Sequence, residues 1–162
     1  MLATETQTEP RSRRHQTFDT KRLEVLGVAA RVFSAVGYDR ASMRRIAAEA
    51  GVSLAGIYHY VASKEALLET IQLHTFDSLL HGLEAELAGR VDPRRRLVAA
   101  VRNHLHHVRD HVHELRVCAR ELETLESTAG GAVHERRRAY IEAVHGLVAA
   151  VQGDAETGEH AT

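Results

Sequence analysis

An all-α fold is predicted by three features of the sequence. Its 162 residues are rich in Ala, Leu, Val, Glu and Arg, with two prolines and no tryptophan, a composition that favours helix over sheet. Apolar residues recur every three or four positions through most of the chain, the spacing of a helix rather than a strand. Capping residues punctuate these runs: Ser42, Ser53, Ser63 and Asp92 stand at starts, Gly37 and Gly51 at stops.

The elements follow in order. Residues 1–18, MLATETQTEPRSRRHQTF, are polar, include Pro10 and lack apolar periodicity, so a flexible arm is expected there. Its RSRRH run is either a solvated charge cluster or a contact to nucleic-acid backbone, and the residues leave both readings open. A first helix is expected from Asp19 or Thr20 to Val36. Leu23, Leu26, Ala30 and Phe33 share one of its faces and Val25, Ala29, Val32 and Val36 another, so it should be packed on two sides.

Ser42 should cap a short helix ending at Ala50, Gly51 should make a turn, and Ser53 should cap a second short helix through Tyr60. Two short helices joined by a tight glycine turn make a helix-turn-helix, here a DNA-binding head over residues 19–62. The second helix is unusual: VSLAGIYHYV carries Ala55, Gly56 and a Tyr-His-Tyr triplet where a core helix would carry a greasy stripe. A groove-facing helix accounts for this, because small residues let the backbone approach a duplex and Tyr58, His59 and Tyr60 can donate hydrogen bonds.

Residues 63–153 are expected to form a helical body. Ser63 opens a long helix in which Leu67, Leu68 and Ile71 lie together, while Leu73, Phe76, Leu80, Leu83 and Leu87 lie on roughly the opposite side, so its apolar face should change near Leu73. Asp92 and Pro93 open a further helix with Leu97, Val101, Leu105, Val108 and Val112 as its stripe, and a break is expected near His111–His113. STAGG marks a loop, and a last helix should run from about Val133 to Gln152 with Tyr140, Val144, Leu147, Val148 and Val151 on one face. Residues 154–162 are expected to be a disordered tail.

At residues 20–71 the chain resembles the tetracycline-repressor (TetR-type) family of transcriptional regulators. AARVFSAVGYDRASMRRIAAEAGVS and IYHYVASKEALL carry the resemblance, in the family's order and spacing. It implies a homodimer that binds a pseudo-palindromic, double-stranded DNA operator and is released by a small-molecule effector, that is, a repressor rather than an enzyme. Matched residue by residue, Ser42 and Arg44 stand where the family contacts phosphate and bases, Ser53 at the cap, Leu54, Ala55, Gly56, Tyr58 and His59 on the recognition helix, and Lys64 where the long helix meets phosphate. Gly56 replaces a frequent Thr or Ser, and Val61 a usual Phe. The downstream RELETL and RRRAYIEAVHGLV are similar to members that sense acyl-CoA or lipid-derived ligands. The body looks short at its C-terminus beside the family, which usually has two more helices for the dimer.

An effector pocket is expected between the second half of the long helix and the helices at 93–112 and 133–152, with Phe76 and Tyr140 as aromatic wall and His104 and His111 as polar edge. The segment HLHHVRDHVH also raises an alternative, a His-rich metal-responsive protein. His107 and His111 have the i, i+4 spacing that lets two imidazoles share a metal, yet a third ligand is only guessed at among Glu114 and Cys118, so no metal site and no cofactor are assigned. No Ser-His-Asp, Cys-His or paired-carboxylate constellation is recognisable, which speaks against an enzyme. Residues 1–62 hold 9 Lys+Arg against 6 Asp+Glu and the remainder 12 against 16, a basic front on an acidic body. A lone Cys118 and the lack of a signal segment or long apolar run point to a cytoplasmic protein without a membrane span.

Overall fold

Seven α-helices make up the computed structural model, which describes the backbone of residues 9–121, 124–125 and 130–159 and contains no strand among them. They are α1 (Glu9–Val36), α2 (Met43–Glu49), α3 (Leu54–Ile57), α4 (Lys64–Leu87), α5 (Pro93–Asp110), α6 (Val112–Arg120) and α7 (Gly130–Glu159). The chain divides into two units after Leu67, four residues into α4, rather than at residue 62. Each unit is described by itself below.

In the first unit α1 starts at Glu9, so the arm expected over residues 1–18 is helical from Glu9 onward, and its first eight residues lie outside the described ones. The cap signal at Asp19–Thr20 is overridden because Pro10 sits in the first helical turn, where its missing N–H costs nothing, and good helix formers follow it. Val25, Leu26, Val28, Ala29, Ala30, Val32 and Phe33 are all buried, so the helix is packed over a wide arc, but Leu23 of the expected stripe is 54% exposed. Ile46, Ala47, Ile57, Val61 and Leu67 complete the core.

The helix-turn-helix forms where its caps predicted. Ser42 Oγ accepts from the Arg45 amide at 3.2 Å and Ser53 Oγ from the Gly56 amide at 2.9 Å. Gly37 and Gly51 both take left-handed φ, +83° and +66°. α3 ends at Ile57, however, and does not run through Tyr60. The amides of His59 and Tyr60 bond three residues back, to Gly56 and Ile57, at 3.1 and 3.0 Å, which tightens the chain into turns and swings the Tyr-His-Tyr triplet off the helix proper.

In the second unit the buried side chains of α4 are Leu68, Ile71, Gln72, Thr75, Phe76, Leu79 and Leu83. They form one slowly rotating stripe, and the expected change of face near Leu73 does not occur. The stripe is continuous because two polar residues belong to it: Thr75 donates to the Ile71 carbonyl at 2.7 Å, and Gln72 Nε2 to the Glu121 carbonyl at 3.0 Å. Asp92 caps α5 through the Arg95 amide at 2.7 Å, and the break falls at His111, as the sequence suggests.

Two further expectations are corrected here. The α5 stripe is largely solvent-exposed, with Val101 at 51% and Leu105 at 60%, while Ala99, Ala100 and His107 point inward. Leu97, Val101 and Leu105 lie toward α7, the helix packed most closely on α5, while α5 meets α4 through Asn103, whose Nδ2 donates to the Leu79 carbonyl at 3.1 Å beside Gly82, where an added Cβ would meet Asn103 Oδ1. α7 continues through residues 154–159 of the expected tail, since Gly153 alone does not stop a helix that Asp, Ala and Glu extend; residues 160–162 lie outside the described ones, as do four around the STAGG loop.

Gly51 isolates a backbone effect. A Cβ there would touch nothing within 4 Å, so Gly51→Ala should lower stability by about 1–2 kcal/mol, the cost of a left-handed non-glycine residue. Urea unfolding of the variant beside Gly51→Asn measures this, with Asn recovering part of the loss; an unchanged midpoint for Ala would refute it.

Candidate functional site

Two constellations stand out, one in each unit. In the first, the caps and the short helices hold a polar surface. Ser42, Arg44, Ser53, Leu54, Ala55, Tyr58 and His59 are exposed, Gly56 and Lys64 half-buried. The cap hydroxyls accept from backbone amides and keep their own hydrogens to donate outward. Arg45 is tied to Glu49 at 2.9 Å, whereas Arg44 has no hydrogen-bond or ion-pair partner among the described residues. Tyr60 is drawn aside onto Phe18, ring centroids 5.2 Å apart, leaving Tyr58 and His59 as the exposed members of the triplet.

Gly56 has a local reason to be glycine. A Cβ would stand 3.0 Å from Ser53 Oγ, pressing on the cap that starts α3. Lys64 holds the surface from behind: its ammonium donates to the carbonyls of Tyr38 and Ala41 at 3.0 and 3.2 Å and lies 4.2 Å from the centroid of the Tyr38 ring. Two of its three donors are therefore committed within the head. Lys21 does the same at the end of α2, donating to the Ala50 carbonyl at 3.2 Å.

The second constellation is a groove of about 340 Å³ between α5 and α7, lined by Leu97, Ala100, Val101, His104 and Leu105 on one side and Tyr140, Ile141, Val144 and His145 on the other. His104 Nδ1 and the Tyr140 hydroxyl share a hydrogen bond of 3.0 Å, the donor following the imidazole tautomer, and the two rings stack at 22°. Burial raises the Tyr140 pKa. Of the four residues expected at an effector pocket, His104 and Tyr140 are brought together here. Phe76 is buried in the core, and the His111 ring lies tilted against His107 with centroids 4.6 Å apart; neither lines the groove.

His107 is a core residue that the apolar periodicity of α5 does not signal, because it lies away from the stripe. It is buried, and its Nε2 has no hydrogen-bond partner among the described residues. Burial, then the imidazoles of His111, His104 and His74, lower its pKa to about 4. Cys118 is likewise buried, its thiol pushed up to about 11 by burial, the state of an inert core cysteine. Among the described residues no three His, Cys, Asp or Glu side chains are grouped so as to hold a metal ion, and no helix is long and apolar enough to cross a membrane.

Two family models match the sequence. One, described as bacterial regulatory proteins of the tetR family, covers residues 25–71; the other, the tetracyclin repressor-like C-terminal domain, covers residues 90–161. The chain belongs to the TetR family. Over 84 residues it is 40% identical to the HTH-type transcriptional activator FasR of Mycolicibacterium smegmatis, an alignment covering 51% of this chain and 38% of FasR. The chain therefore matches well under half the length of that relative. A TetR-family regulator from Bordetella parapertussis superposes with a TM-score of 0.78 at 27% identity, over 82% of this chain and 69% of the other. AibR, solved with isovaleryl coenzyme A and operator DNA, superposes with a TM-score of 0.75 at 25% identity, over 83% and 74%. TetR-family proteins are transcriptional regulators rather than enzymes, and the chain has both their helix-turn-helix head and their helical body.

The His107 environment has a consequence for pH. Unfolded, the side chain takes its proton near pH 6.5; folded, it does so only near pH 4. Between these values the unfolded state holds more protons, so stability rises with pH across that window. Thermal melts should show a higher midpoint at pH 7 than at pH 5, and His107→Met should flatten much of the difference. A variant with the full pH dependence would place its origin in other groups.

Proposed function

We propose that the chain is a DNA-binding repressor that works as a homodimer in the cytoplasm on a pseudo-palindromic operator, and that a small molecule in the α5–α7 groove releases it. The observation that carries the reading is the exposed Arg44 guanidinium beside the α2 cap, without a partner among the described residues, in a helix-turn-helix whose Ser42, Ser53, Tyr58 and His59 are exposed as well. A guanidinium fork reads guanine bidentately in the major groove, and the cap hydroxyls and Tyr58 fit phosphate. Small Ala55 and Gly56 let the backbone of α3 come close. Lys64 keeps one donor for a phosphate while its other two hold the loop before α2.

Release requires that the effector bind the conformation incompatible with DNA more tightly than the other. Two heads must sit about one duplex turn, roughly 34–36 Å, or a multiple of it apart, and α4, which begins in the head and continues into the body, is the covalent route by which a change in the body reaches that spacing. The groove suits an apolar ligand oriented by the His104–Tyr140 pair. The isovaleryl coenzyme A bound to AibR favours a short acyl thioester as effector, in keeping with the acyl-ligand resemblance of the C-terminal segment.

Arg44→Ala should cost about 1–3 kcal/mol on the DNA upstream of the protein's own gene and much less on random duplex. Gel shifts at two salt concentrations read both; equal losses would make Arg44 a phosphate ligand instead of a base reader. For the body, Val144→Trp should fill the groove and abolish release by isovaleryl coenzyme A while leaving ligand-free DNA affinity within about threefold, since distant sites act nearly independently. Release by that ligand at wild-type concentrations would remove the groove from the mechanism.

A further inference from the structure

Away from both constellations, the start of α5 gathers arginines. Arg90, Arg94, Arg95 and Arg102 line a groove of about 300 Å³ floored by Val98 and Ala99. Spacings of three and four residues put Arg95, Ala99 and Arg102 along one face of the helix, with Arg94 and Val98 beside them.

The backbone under this groove is tightly held. Asp92 fixes the first turn of α5 through the Arg95 amide, and Arg96 Nη1 donates to the Arg90 carbonyl at 2.9 Å, stapling the turn after α4 to α5. Gly89, at φ +70°, makes that turn. Arg90 is paired with Glu86 at 3.1 Å. The side chains of Arg94, Arg95 and Arg102 are exposed and have no hydrogen-bond or ion-pair partner among the described residues.

Like charges around one groove repel, and a bound polyanion removes that repulsion. Guanidinium forks match phosphate oxygens bidentately, and three unpaired forks offer more donors than one phosphate group uses. We propose that this groove binds the diphosphate group of a small ligand. Its volume lies at the lower end of small-molecule sites, and Val98, 58% exposed, offers an apolar floor to whatever the diphosphate carries. A concave site of this kind favours a compact ligand over nucleic-acid backbone, which runs along a row of cations. The assignment does not depend on the α5–α7 groove or on the DNA-binding surface.

Isothermal titration of the full chain at about 0.15 M salt tests it with inorganic phosphate, pyrophosphate and ADP as probes. Pyrophosphate should bind at least about tenfold more tightly than phosphate, and Arg95→Ala and Arg102→Ala should each weaken it about tenfold or more. Arg137→Ala, which removes an exposed charge from α7, should leave it unchanged. Equal binding of pyrophosphate and ADP identifies the diphosphate alone as the ligand; tighter ADP shows a nucleoside extending over Val98. The proposal falls if pyrophosphate binds no better than phosphate, or if Arg137→Ala costs as much as the groove variants. It also falls if those variants weaken ligand-free binding to random duplex DNA and leave pyrophosphate binding intact, which would make the arginines a nucleic-acid contact.

Discussion

The geometry of the helix-turn-helix depends on one lysine. Lys64, the first residue of α4, reaches back across the head to two carbonyls of the loop between α1 and α2, and its charge lies over the Tyr38 ring, which in turn meets Phe33 at 5.4 Å. Bonds from a charged donor to neutral carbonyls are stronger than neutral pairs, and the aromatic face adds to them. This clasp sets where the loop delivers Ser42, hence where α2 begins and where Arg44 points. A residue matched by family pattern to a phosphate contact is thus also a structural tie.

The body is organised by a different constraint, the packing of α5 against α7, while α4 meets α5 at Asn103. At Gly82 α4 leaves room for Asn103 of α5, and Ala99 and Ala100 are the small buried residues of α5. The larger apolar residues of α5 lie on a more exposed face. Part of that stripe, Leu97, Val101 and Leu105, becomes one wall of the groove whose other wall is α7. His107 is buried, with no partner for its Nε2 among the described residues, and burial with the imidazoles of His111, His104 and His74 holds its pKa low.

The two charged surfaces differ in how their arginines are employed. In the head, Arg45 is paired along its own helix and Lys21 caps a helix end, so Arg44 is left as the free cation at the α2 cap. At the start of α5, Arg90 and Arg96 serve the turn and three neighbours remain unpaired. Counting positive charge would have treated both clusters alike; the hydrogen-bond partners separate structural arginines from available ones.

The sequence by itself determined the local features. The caps at Ser42, Ser53, Ser63 and Asp92, the stop at Gly37, the turn at Gly51 and the break at His111 were all legible, because each depends on bonds or dihedral preferences within a few residues. So was the helix-turn-helix, whose elements are set by adjacent caps and a glycine turn. Where the chain misled, the deciding partner lay far along it. The polar Gln72 and Thr75 joined the buried stripe of α4 because Gln72 has a carbonyl forty-nine residues away. α5 turned part of its apolar stripe toward α7, a helix far along the chain, and left it half open as one wall of a groove. Helix periodicity identifies an amphipathic face, but only the packed neighbours decide which face turns inward, since burial energy depends on fit between surfaces that no local pattern contains.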